Sequence, residues 1–197
     1  VSEVTTVGGS AEAVVVDVTR EAEQDSLFTR AAARGPISAV LYNAGNNAII
    51  PFEKLDGATV ESFWRVGCFG AFLAAKRAVP ILKTQGFGSL FFTGASASLR
   101  GKANFAHFAM MKGALRMLSQ SLAREFGADG IHVAHVIIDG VVDGEMARDH
   151  FGEYLDALGE GGSLDPDAVA VAFWRLHGQP RSAWTQELDL RPHRENW

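Results

Sequence analysis

Lys112 follows Phe108 by four residues, so on a helix the two side chains stand one turn apart on the same face. Its neighbours Phe108, Ala109, Met111 and Leu115 are an apolar setting for a lone cation. Such an ammonium either snorkels to water along its stem or meets a polar ligand, and the sequence leaves both open. Hydroxyls are close in the chain at Ser96 and Ser98. Polar groups also close three apolar runs: Asp17 ends 13–17, Asn43-Ala44-Gly45 ends 37–42, and Asp139-Gly140 ends 131–138. Ammonium, hydroxyl and strand-end polar groups can hydrogen-bond a polar ligand and move a proton.

Other titratable residues fit ordinary structural roles. Asp17 serves equally as a strand-end acceptor or as a turn cap before Thr19. His107 is offset from Phe108 by about 100° around the helix, so it points elsewhere. His132 and His135 are an odd number apart on one strand and face opposite sides, which breaks a metal pair; no metal site is expected. Met110, Met111 and Met117 fit core or interface packing.

The elements that position these groups alternate between strand-like and helix-like patterns, as in an α/β fold with a parallel sheet. Strands are expected at 13–17, 37–42, 88–94 and 131–138, with a closing strand at 184–190. Helices are expected at 21–34, at 59–78 closed by Pro80, at 103–126, and from Asp165-Pro166 to about Leu176. The Gly- and Asp-rich stretch 139–165 reads as a mobile loop around a short helix at 151–158.

Composition sets the outer limits. With 197 residues, 47% hydrophobic and 21% charged, the chain can bury a core and is not disordered. The net charge of −5 offers no basic excess for phosphates, so nucleic acid is not an expected partner. Neither a membrane span nor a signal peptide is visible. The single cysteine, Cys68, gives no internal disulfide, and a cytoplasmic setting is expected.

The order Asp17-Val18-Thr19, Asn43-Ala44-Gly45, a helix carrying Lys112, then Asp139-Gly140 resembles the short-chain dehydrogenase/reductase family over nearly the whole chain. The closing Trp184-Thr-Gln-Glu-Leu-Asp-Leu-Arg-Pro192 looks like a subgroup with Phe in place of the active-site Tyr. The resemblance implies a Rossmann-like, doubly wound parallel sheet and a nicotinamide cofactor, NAD or NADP. It assigns cofactor contacts to Asp17, Val18, Asn43, Ala44, Gly45, Lys112, Asp139 and Gly140, and catalytic positions to Lys112, Ser96 and Phe108. The family's glycine-rich loop has no counterpart here, and only twelve residues precede the first expected strand. The chain is therefore expected to lack an N-terminal βαβα portion, with 1–197 forming one incomplete domain.

Several positions depart from the family. Phe108 replaces the proton-donating Tyr, Ala95 falls at the substrate-orienting Ser beside Ser96, Gly67 falls at the helix Asn, and Gly144 replaces a hydroxyl residue. Two readings follow. One is an NAD(P)-linked oxidoreductase of a small molecule with a degenerate site; the other is a non-catalytic dinucleotide-binding or interaction protein. A homodimer or homotetramer through helices 59–78 and 103–126 is expected, with Phe63, Trp64 and Phe72 exposed at the interface.

Overall fold

The structure, a computed structural model, describes residues 1–194. Strands β1 (Ala39–Tyr42), β2 (Gly88–Thr93), β3 (Ile131–Ile138) and β4 (Glu187–Leu190) pair in parallel and in chain order. Helices α1 (Ser2–Thr6) and α2 (Glu21–Ala32) precede β1. Between β1 and β2 lie α3 (Gly57–Trp64) and α4 (Gly70–Gln85), and α5 (Ala106–Phe126) joins β2 to β3. Helices α6 (Glu145–Leu158) and α7 (Pro166–His177) lead to β4.

The period of two places Leu90 and Phe92 on one face of β2 and Phe91 on the other. The first face meets Ala71, Ala74, Ala75, Ala78 and Leu82 of α4 and Leu115 of α5. The second meets Leu176 and Phe173 of α7. Alanines along α4 let that helix lie close to the sheet. β3 is buried on both faces and mostly apolar, interrupted by the buried His132 and His135, as suits a central parallel strand. Asp165 caps α7 by accepting from the Asp167 N–H at 3.1 Å, with Pro166 in the first turn.

Four expectations need correction. No strand forms at 13–17. A strand exists only through a neighbour that completes its hydrogen bonds, and among the described residues none pairs with this run, whose Val14 and Val15 are exposed. Pro80 does not close its helix. It sits exposed within α4, and burial of Val79 and Leu82 on the opposite side carries the helix on to Gln85, where Gly86 ends it at φ 73°. The span 59–78 is not one regular helix, because Arg65–Phe69 widen into a π turn. The buried Tyr42 hydroxyl donates to the Val66 carbonyl in that turn at 2.5 Å. A Cβ at Gly67 would overlap the fully buried Met111, and one at Gly70 would overlap the Tyr42 hydroxyl, so glycine fits both places. Finally, the helix within 139–165 is longer than 151–158: it begins at Glu145 and breaks locally at Phe151.

Candidate active site

The loops after β1, β2 and β3 emerge at the same edge of the sheet, because parallel strands end together. Lys112 lies in the second turn of α5 and is 6% exposed, so the snorkelling alternative falls away. Its Nζ donates to the Thr93 carbonyl at 2.7 Å, at the end of β2. It also sits 5.7 Å from the centre of the Phe108 ring. From the loop after β1, a Cβ added at Gly45 would lie 3.7 Å from Nζ. Lys112, Phe108, Gly45 and the start of the Ser96 loop are thus brought together. Burial holds the lysine at a pKa of about 8 rather than 10.5.

The remaining assigned residues divide. Ser96 is half-buried in the short 3-10 turn Ser96–Ser98, where its carbonyl accepts from the N–H groups of Leu99 and Arg100. Asn43 is exposed beside Gly45, while Ala44 packs against the core. Asp17 acts as a turn cap: its Oδ1 accepts from the Thr19 N–H at 2.9 Å and hydroxyl at 2.8 Å, which lowers its pKa. The Val18 carbonyl accepts from Gln24 Nε2 at 2.7 Å, tying this segment to α4, since the same amide nitrogen donates to Gly70 O. Asp139 is buried at the end of β3, and its backbone N–H bonds the Leu190 carbonyl at 2.8 Å. Gly140 has φ 142°, and a Cβ there would press on Pro192 at 2.9 Å, so a side chain is excluded twice.

Three features were not legible in advance. His135 is fully buried under the loop after β2, where Gly94 leaves room for its ring. Its Nδ1 lies 3.5 Å from Glu187, its ladder partner on β4, whose carboxylate is held by both Nε and Nη2 of Arg116. Burial nevertheless lowers the His135 pKa to about 4, so the imidazole is neutral at pH 7. His132 faces the other side and stacks on Trp184 at 4.8 Å, as the odd spacing requires. Asn46 Oδ1 and Ser98 Oγ are buried and lack a partner among the described residues. Phe63, expected outside, is buried edge-on against the His107 ring at 4.4 Å.

Gly94→Ala should destabilise the protein by roughly 1–3 kcal/mol, because its Cβ would overlap the fully buried His135 ring. Thermal unfolding measures this, and an unchanged midpoint would contradict the packing. No helix among the described residues is long and apolar enough to cross a membrane.

Helices on both faces of a parallel sheet whose strands end together define a Rossmann-like scaffold, with a lysine buried one turn after an aromatic residue near an Asn-Ala-Gly turn. The short chain dehydrogenase model matches residues 1–154, and the chain belongs to that family. It is 31% identical over 154 residues to inactive 2-(S)-hydroxypropyl-CoM dehydrogenase 2 of Xanthobacter autotrophicus, covering 76% of this chain and 66% of that protein. It spans only 20% of the oxidoreductase YuxG of Bacillus subtilis, with 35% identity over 69% of this chain. Among solved structures, a short-chain dehydrogenase from Rhodopseudomonas palustris superposes with a TM-score of 0.82 at 34% identity, covering 98% of this chain and 79% of that one.

Proposed function

We propose that this chain is an NAD(P)-linked oxidoreductase of a small molecule, with a degenerate site in which Lys112 does the work usually shared between lysine and tyrosine. Residues 1–197 act as one domain in this reading. The observation that carries it is the Lys112 ammonium, buried against Thr93 O and facing Gly45, with one of its three N–H donors spent among the described residues. Two donors remain, one for a ribose hydroxyl and one for the substrate. Buried Asn46 Oδ1 and Ser98 Oγ, both without partners among the described residues, add complementary hydrogen-bonding capacity, so the residues present fit such a cofactor. Asn43, Ala44, Gly45 and Lys112 would hold its ribose, Asp139 and Gly140 would border the nicotinamide, and Asp17 and Val18 would border the adenine. Bound there, the dinucleotide supplies or accepts the hydride.

Lys112 Nζ is the proton donor in this reading. A pKa of about 8 keeps it protonated at neutral pH yet close enough to the working pH to release the proton. Ser96 orients the substrate beside it, and Phe108 forms an apolar wall. The protein acts in the cytoplasm as a homodimer or homotetramer through 59–78 and 103–126, where Trp64, Phe72, Met110 and Met117 leave apolar surface exposed.

A second reading, a dinucleotide-binding protein without chemistry, is favoured by the missing hydroxyl at Phe108 and by the word inactive in the name of the Xanthobacter relative. Fluorescence titration of the full-length protein with NADH and NADPH, followed by turnover of ketones and activated C=C bonds, separates the two. Lys112→Met should weaken dinucleotide binding roughly 10–100-fold, the weight of a charge-assisted hydrogen bond. It should abolish turnover if the enzymatic reading holds. Undiminished binding would remove Lys112 from the site.

A further inference from the structure

Asp139 stands where a buried carboxylate requires a cation, and two arginines reach it from different loops. It is 3% exposed. Arg100 Nη2 lies 3.2 and 3.3 Å from its two oxygens, and Arg191 Nη1 lies 3.4 Å from Oδ2. Arg100 comes from the loop that follows Ser96–Ser98, and its N–H bonds back to Ser96 O at 3.1 Å. Its guanidinium therefore crosses the carboxyl edge of the sheet, from the loop after β2 to the end of β3.

The two arginines are held differently. Arg191 is largely enclosed, and it also pairs with Asp189. The Arg100 side chain is 43% exposed and engages Asp139 through one nitrogen only. Its Nε and Nη1 donors bond nothing else among the described residues, so the planar fork is fixed at one corner and open along its other edge. A guanidinium restrained in this way is set up to take a carboxylate through two parallel N–H bonds with little further loss of freedom.

The charge around it points the same way. The chain carries a net charge of −5, yet residues 62–124 hold nine Lys and Arg and no Asp or Glu. Arg77, Lys83, Arg116 and Arg65 of that stretch pair with acids from elsewhere, away from this loop. Among the described residues Lys112 is hydrogen-bonded to a backbone carbonyl and to no acid, and the exposed Lys102 lies against the Phe105 ring. Arg100 and Lys112 thus both lie at the carboxyl edge of the sheet, and Asp139 is the acid that Arg100 meets there. An anionic ligand would complete the balance.

We propose that Arg100, held by the buried carboxylate of Asp139, anchors a carboxylate on the substrate. The substrate is then a keto acid, an unsaturated acid or their reduced counterpart, its reacting carbon lying between Arg100 and Lys112 along the Phe108 wall. This rests on the oxidoreductase reading for the role of Lys112, whereas the anchor itself is a binding property.

The test uses one ketone with and without its charge: 4-oxopentanoate and its methyl ester. Calorimetric titration of the full-length protein, with NADH present, should show the acid binding roughly 10–100-fold more tightly than the ester. Arg100→Met should abolish that preference while leaving the ester and NADH affinities within about twofold. Arg100→Lys should keep part of it, because charge remains but the fork is gone. Lys102→Met should change acid binding by less than about threefold; a loss equal to that of Arg100→Met would show a general positive field instead of an anchor. Equal binding of acid and ester, binding of neither, or a parallel loss of NADH affinity in Arg100→Met would each overturn the proposal. Turnover is read separately. Acid preference without turnover leaves the anchor standing and sinks the oxidoreductase reading; equal turnover of both ketones with equal affinities does the reverse.

Discussion

Phe108→Tyr should raise carbonyl reduction by the full-length protein by on the order of 10²–10⁴-fold, the usual contribution of a positioned general acid. The substitution adds one hydroxyl to a half-buried ring that already faces Lys112 at 5.7 Å. A phenol beside that ammonium gains a neighbour that stabilises its ionised form, so its pKa falls towards the working range. The effect should appear in kcat more than in KM, because the new hydrogen bond strengthens as the alkoxide develops. The lower end of the range is expected, since Ala95 gives the substrate oxygen no second donor and Ser96 must serve. Measuring kcat and kcat/KM for a ketone in both proteins decides the matter. Unchanged rates with the dinucleotide still bound would favour the binding-protein reading. The gain presupposes that Lys112 alone is an inefficient proton donor, and ordinary enzyme rates in the unsubstituted protein would show that it already suffices.

The parts of this fold that were readable in advance are those whose causes are local. Asp165-Pro166 announces a helix start by a capping carboxylate and a fixed φ, and α7 begins there. The run 131–138 is short, rich in Val and Ile and bounded by Gly130 and Gly140, which reads as a buried strand, and β3 forms there. Where the cause is a distant partner, sequence reasoning fails in a definable way. The run 13–17 has the composition of a strand, but strand formation is a property of a pair. Pro80 breaks helices that nothing else holds, whereas α4 is clamped on both sides of it by residues seated on the sheet. The π turn at 65–69 leaves no periodic mark, because its origin lies in the Tyr42 hydroxyl and the close seating of Met111.

The site shows the same division. The spacing of four between Phe108 and Lys112 is a helical fact, and the odd spacing of His132 and His135 a strand fact; both hold in space. Asp139 reads in the sequence as a polar residue closing the run 131–138, with nothing to show which cation it meets. Its two arginines, 39 residues before it and 52 after it, join it only because β2, β3 and β4 end together. His135 likewise gains its surroundings from Gly94 and Glu187 on the strands to either side. Phe63 has the outline of an interface residue until the turn of α3 places it against His107.

Lys112→Met should make the protein more stable at pH 7 while removing its capacity at the site. Burial lowers the lysine pKa from 10.5 to about 8, so folding disfavours its charged form. Above about pH 10.5 the amine is neutral in both folded and unfolded chains, and burial carries no charge penalty. As the pH falls, the unfolded chain binds a proton before the folded one does, and stability declines until about pH 8, below which the penalty is complete. At 1.36 kcal/mol for each pKa unit, the penalty at pH 7 is about 3 kcal/mol. Methionine fills similar volume without charge, but it gives up the bond to Thr93 O and the contact with the Phe108 ring, leaving a net gain of roughly 1–3 kcal/mol. For a chain of this size that raises Tm by roughly 2–10 °C at pH 7. The difference should shrink as the pH is raised from 8 to 10.5, which separates charge burial from better packing, since packing would not depend on pH. A lower Tm for Lys112→Met at pH 7 would mean that the ammonium is stabilised in place and its pKa is not depressed. A buried lysine that the fold would hold more easily as methionine carries a cost in stability, and the proposed cofactor contact would account for it.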